Sequence, residues 1–134
     1  MTQMQAAPGF TKHPDHRMEL SQTDRTYEIT FAGILIARSS KAIRLEEGSY
    51  QGRLYFPKQD VRMEYLTAIE TSTYCPFKGD ARYWTLSAGA QTLEGGAWGY
   101  DNPYLECENI AGYICFYTEK GSFVLTECDD IAEN

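Results

Sequence analysis

The sequence predicts a mainly β domain, and three observations carry that reading. Short apolar runs alternate with polar residues at period two, as in Tyr27, Ile29 and Phe31 against Glu28 and Thr30. Turn signals built on Gly, Pro, Asn and Asp recur every ten or so residues. Aromatics are plentiful, with 10 Tyr, 6 Phe and 2 Trp in 134 residues, so one domain of this length has ample material for a core.

The net charge of −7, from 12 Lys plus Arg against 19 Asp plus Glu, argues against tight non-specific binding to nucleic acid or to an anionic membrane. Small molecules and proteins remain as partners, with oligomeric state left open. The four cysteines, Cys75, Cys107, Cys115 and Cys128, include no C-x-x-C pair, so neither a zinc ribbon nor a redox motif is expected. No basic segment followed by an apolar run opens the chain, which gives the expectation of a cytosolic protein with reduced thiols and no cofactor.

Residues 1–25 read as an N-terminal arm, 26–127 as a single β domain and 128–134 as an acidic tail. The arm holds both histidines, in His13-Pro14-Asp15-His16, where Pro14 discourages the helix that would align them on a metal. Regular structure is expected from Tyr27, with a hairpin through Ala32-Gly33 into Ile34–Ala37. Ala42–Glu46 and Arg53–Phe56 make two more strands, the second ended by Pro57. Asp60 can cap one short helix carrying Val61, Tyr65 and Leu66 inward. Ile69–Tyr74, rich in Thr and Ser, reads as a link. Arg82–Ser87 is a strand with Ala81, Tyr83 and Thr85 on one face and Arg82, Trp84 and Leu86 on the other. A hairpin through Gly89 returns along Gln91–Leu93, Ile110–Tyr117 is a buried strand, and Gly121 leads into Phe123–Leu125.

Two stretches carry the candidate chemistry. In Tyr74-Cys75-Pro76-Phe77-Lys78-Gly79-Asp80-Ala81-Arg82-Tyr83-Trp84, Pro76 extends Cys75 and Gly79 can supply a positive φ, which brings Cys75 and Lys78 together on one turn. In Glu94–Tyr104, three glycines flank Trp98 and Tyr100, which share a face if extended. Cys75 is a candidate nucleophile, its thiolate favoured by Lys78, but no core histidine is foreseen as its base; the plain alternative is a thiol packed beneath Trp84. Tyr55, Tyr83, Trp84, Trp98 and Tyr100 can line an aromatic pocket, with Asp60, Lys78 or Arg82 as polar anchors, Trp84 and Trp98 flanking one cavity; the alternative is a core between two sheets. Asp60 is most simply a helix cap.

The runs Tyr55–Val61, Cys75–Trp84, Ala97-Trp98-Gly99-Tyr100 with Pro103, and Ile110–Tyr117 resemble, in this order, the domain-of-unknown-function family 427 over about residues 26–117. The resemblance implies a β-tent like that of methionine sulfoxide reductase B, two antiparallel sheets leaning together with one short helix. It implies no zinc here, because the paired C-x-x-C motifs of many such proteins are missing. The family has also been labelled nucleotidyltransferase-like. Such enzymes need Gly-Ser followed by two carboxylates at i, i+2, whereas Gly48-Ser49 is followed by Asp60 alone, with Glu64 four positions on. Three classes stay open: a small-molecule-binding module, which the sequence favours; an enzyme using Cys75 and Lys78 or nucleotidyl transfer; and a protein-interaction domain.

Overall fold

The computed structural model of the chain describes residues 5–48 and 52–128. The acidic tail expected at 128–134 lies outside the described residues beyond Cys128, as do residues 49–51. After a single helical turn, α1 (Gly9–Lys12), the strands are β1 (Met18–Gln22), β2 (Thr26–Phe31), β3 (Ile34–Ser39), β4 (Ile43–Glu47), β5 (Arg53–Phe56), β6 (Leu66–Cys75), β7 (Gly79–Ala88), β8 (Gln91–Gly99), β9 (Ile114–Phe116) and β10 (Phe123–Cys128). Among the described residues these form two antiparallel sheets, one of seven strands in the order β1, β4, β5, β9, β8, β7, β6 and one of three in the order β10, β2, β3. The chain is mainly β, as the alternation predicts.

The central strands of the larger sheet are apolar on both faces and sort their residues by parity. Leu54, Phe56, Trp84, Leu86, Ala97, Ile114 and Phe116 turn toward the smaller sheet and pack on Tyr27, Ile29, Phe31, Ile36 and Phe123. Their sequence neighbours Tyr55, Trp98 and Cys115 belong to a second cluster on the opposite face, with Leu45, Ala81, Tyr100, Cys107 and Ile110. That face is covered in part by the Leu105–Ile110 3-10 segment and by the N-terminal residues. A sheet buried on both faces needs near-continuous apolar strands, which is why Ile114–Phe116 is apolar throughout.

Three local expectations are corrected. The helix after Pro57 is absent: Lys58–Asp60 and Met63–Tyr65 are separate 3-10 turns, and Val61 between them is extended and bridged to Ala37. Asp60 therefore ends a turn instead of capping a helix, and its carboxylate accepts a 2.6 Å hydrogen bond from the Ser39 hydroxyl. Ile69–Tyr74 is no link, because β6 runs through it as the edge of the larger sheet, and its Thr and Ser face solvent. Strand structure also begins at Met18 instead of Tyr27, since β1 pairs with β4.

Candidate functional site

The β6–β7 hairpin turns through Pro76-Phe77-Lys78, closed by the Lys78 N–H donating to the Cys75 carbonyl at 3.2 Å. Gly79 leaves the turn at φ +113°, a conformation that L side chains rarely adopt, and a Cβ there would stand 3.4 Å from the Asn102 carbonyl oxygen and from the Pro103 α-carbon. The Tyr104 N–H donates to the Lys78 carbonyl at 3.0 Å, so the turn is pinned from the far side as well. Lys78 is thus directed inward, over the outer face of the larger sheet.

There it meets a cavity of about 420 Å3 lined by Leu45 and Glu47 of β4, Arg53 and Tyr55 of β5, Tyr83 of β7, Trp98 of β8, and Lys78, Tyr100 and Tyr117. Lys78 is 9 % exposed, and its ammonium donates to Glu47 Oε1 at 2.5 Å. The other Glu47 oxygen lies 2.7 Å from His16 Nε2. The His16 ring in turn stacks on Phe77, centroids 3.8 Å apart and 18° between planes, with Phe10 edge-on to the same phenyl ring. Burial pushes the Glu47 carboxyl up, but Lys78 and then His16 outweigh it and hold it below the usual carboxylate range. Burial likewise pushes the Lys78 ammonium down, yet Glu47, with help from the field of Cys75, raises it above the ordinary lysine value. The pair is therefore charged, and Lys78 serves as a fixed cation instead of a neutral amine nucleophile.

Opposite Lys78, Arg53 lies over Trp98 at 5.1 Å and over Tyr117 at 5.4 Å from the ring centroids, and the two rings are 4.2 Å apart. Its guanidinium is held in a fork by Glu119, with both N–H···O distances 2.8 Å. Burial raises the phenols of Tyr55, Tyr100 and Tyr117 above the ordinary tyrosine value, so the cavity presents neutral hydroxyls. The Tyr83 hydroxyl is 2.8 Å from Thr73 Oγ1.

Of the residues singled out in the sequence, Tyr55, Lys78, Trp98 and Tyr100, with Tyr83, share this cavity. Cys75 ends β6 half-buried, within electrostatic reach of Lys78 and Tyr100 but outside the lining. Trp84 is a correction: it pairs with Ala97 and packs between the sheets, so Trp84 and Trp98 sit on opposite faces of one sheet and flank no common cavity. Cys75 is not packed beneath it. Arg82 stacks on Trp84 at 4.6 Å and bonds Asp101 at 3.1 Å, away from Lys78. Asp60 lies beside Ser39 of the smaller sheet.

Sequence reasoning missed Glu47, Arg53, Tyr117 and His16. Glu47 closes β4 and Arg53 opens β5, and their parity with Leu45 and Tyr55 was the available signal. His16 carried none, because only the docking of residues 5–16 through contacts such as Gly9 N–H to Pro76 O (3.0 Å) brings it in. No group of three His, Cys, Asp or Glu side chains among the described residues is placed to hold a metal, and the four thiols are unpaired. No helix of the described residues is long and apolar enough to cross a membrane.

No curated protein matches the chain. The family model described as Domain of unknown function (DUF427) matches residues 19–129, which run from the second residue of β1 through the end of β10 and include every cavity-lining residue, and the chain belongs to that family.

Proposed function

We propose that the protein is a small-molecule-binding module and that its site is the aromatic cavity beside the Cys75–Gly79 turn. One observation carries the reading: a largely buried, charged lysine faces a concave space walled by Trp98 and four tyrosines. A core would have filled that space. Its volume, about 420 Å3, is within the usual range for ligand sites, and a few convergent polar groups on apolar walls are their ordinary composition. The groups are also held in place beforehand, Lys78 by Glu47 and Arg53 by Glu119, which lowers the ordering cost of binding. Four unpaired thiols support a reducing, cytosolic setting.

A thermal-shift screen of small aromatic compounds tests the proposal, since a ligand that binds only the folded chain raises its melting temperature. Compounds that stabilise the wild type are expected to lose their effect on Lys78→Met and Trp98→Phe and to keep it on Trp84→Phe, which lies across the sheet. Stabilisation that survives both cavity variants, or a screen without a single hit, would refute the proposal.

A further inference from the structure

Resting on the binding reading above, we propose that the site takes a planar aromatic monoanion of carboxylate type, and that Glu47 is the residue that turns away doubly charged ligands such as phosphate monoesters. The ionisable residues of opposite sign in the lining are Lys78 and Arg53 against Glu47. Lys78 and Glu47 neutralise each other at 2.5 Å, with side chains only 11 % and 16 % exposed. Arg53 has its counter-charge on Glu119, which lies outside the lining and grips the guanidinium from the solvent side. The lining itself therefore holds one more cationic group than carboxylates, although the whole chain carries −7.

Donor geometry points the same way. Among the described residues, Glu47 is the hydrogen-bond partner of the Lys78 ammonium, which leaves two of its three N–H groups for a ligand's oxygens. The tyrosine hydroxyls add neutral donors, and the Trp98 and Tyr117 rings, backed by Arg53, offer faces for a flat ring. A single carboxylate matches the excess charge. A dianion would stand beside an ionised Glu47 that cannot swing away, because Lys78 holds one oxygen and His16 the other. Repulsion fixed in the wall is how a site rejects a competitor that its attractive groups would otherwise accept. Nucleoside triphosphates fail by the same argument.

Calorimetric titration with four compounds of one ring system tests this: 2-naphthoate, 2-naphthamide, 2-naphthylmethylammonium and 2-naphthyl phosphate. In the wild type, naphthoate should bind at least about tenfold more tightly than the amide, a modest demand on a charge-assisted hydrogen bond, and the phosphate should gain nothing over the amide. Glu47→Gln can keep an amide oxygen toward Lys78 and its NH2 toward His16. That variant should admit the phosphate with a gain of about tenfold or more, while Lys78→Met should erase the preference for naphthoate. An amide or ammonium compound binding as well as naphthoate would overturn the charge assignment and leave the binding reading standing. Phosphate equal to naphthoate in the wild type, or unchanged by Glu47→Gln, would make Glu47 a structural partner of Lys78 only. If none of the four binds, the ligand class fails, and the binding reading then rests on the thermal-shift screen alone. The wild-type series and Glu47→Gln decide the matter should Lys78→Met not fold.

Discussion

Cys115 and Cys75 carry the same group in opposite surroundings. Cys115 is 1 % exposed in the middle of the larger sheet, where burial raises its thiol well above the ordinary value, and burial brings Cys107 to about 12. Cys75 is half-buried on a surface hairpin beside the Lys78 ammonium. Only a thiolate with access reacts, so brief iodoacetamide treatment of native protein at neutral pH should label Cys75 well before Cys107 and Cys115. Peptide mapping checks the order, and a Cys75 as slow as Cys115 would remove it from any chemical role. The tryptophans form a similar contrast. Trp84 packs against Leu86, Ile114 and Phe116 between the sheets, and Trp84→Ala should cost about 3–5 kcal/mol in urea unfolding. A loss below about 1 kcal/mol would mean that the space between the sheets tolerates a void of that size.

At the scale of the strand, register decides which residues meet. Parity along the chain places Tyr83 and Trp84 on opposite faces of β7, and this much is legible in the sequence. Which of them faces the same side as Trp98 depends on the pairing of β7 with β8, where Tyr83 is opposite Trp98 and Trp84 opposite Ala97, with an irregularity just beyond Trp84. A single sequence carries no such pairing, so Tyr55, Lys78, Trp98 and Tyr100 could be gathered by their chemistry while Trp84 was gathered with them wrongly. The same limit hid Glu47 and Arg53, which reach the cavity only because β9 inserts between β5 and β8. The reading of β6 failed for a different reason: an edge strand whose residues 70–74 are exposed on both faces has a polar composition that resembles a loop. Pairing also explains Gly99, whose place between β7 and β9 brings it under the Tyr113 backbone. A Cβ there would stand 2.4 Å from the Tyr113 carbonyl oxygen, which belongs to the backbone and cannot rotate aside. Gly99→Ala should therefore destabilise by about 1–3 kcal/mol and loosen the cavity wall next to Trp98 and Tyr100. An unchanged urea midpoint for that variant would show that β8 and β9 slide apart at no cost.

For the molecule as a whole, the buried groups predict how stability depends on pH. Glu47 and Glu119 have folded pKa values below the ordinary 4.5, Glu119 at about 2, because their basic partners favour the carboxylate. Their contribution is present above the unfolded value and is lost as pH falls through the folded ones, and for the exposed Glu119 it is small. The alkaline side involves more groups. Cys107, Cys115, Tyr55, Tyr100, Tyr117 and Lys78 all have raised folded pKa values, so what they contribute is complete below their unfolded values and is lost above them. The thiols come first, from 9.0, followed by the phenols from 10.0 and the lysine from 10.5. Each such group adds a slope of up to about 1.4 kcal/mol per pH unit, and every proton lost deepens the charge of a chain already at −7. Urea midpoints should accordingly be flat between about pH 6 and 8 and fall steeply above about pH 9, more steeply than on the acid side. Cys115→Ala should flatten the first part of the alkaline fall, because it removes one of the two thiols that burial raises. A midpoint that holds steady to about pH 11 would mean that these thiols and phenols ionise in place, and the cavity wall would then be far wetter than its burial indicates.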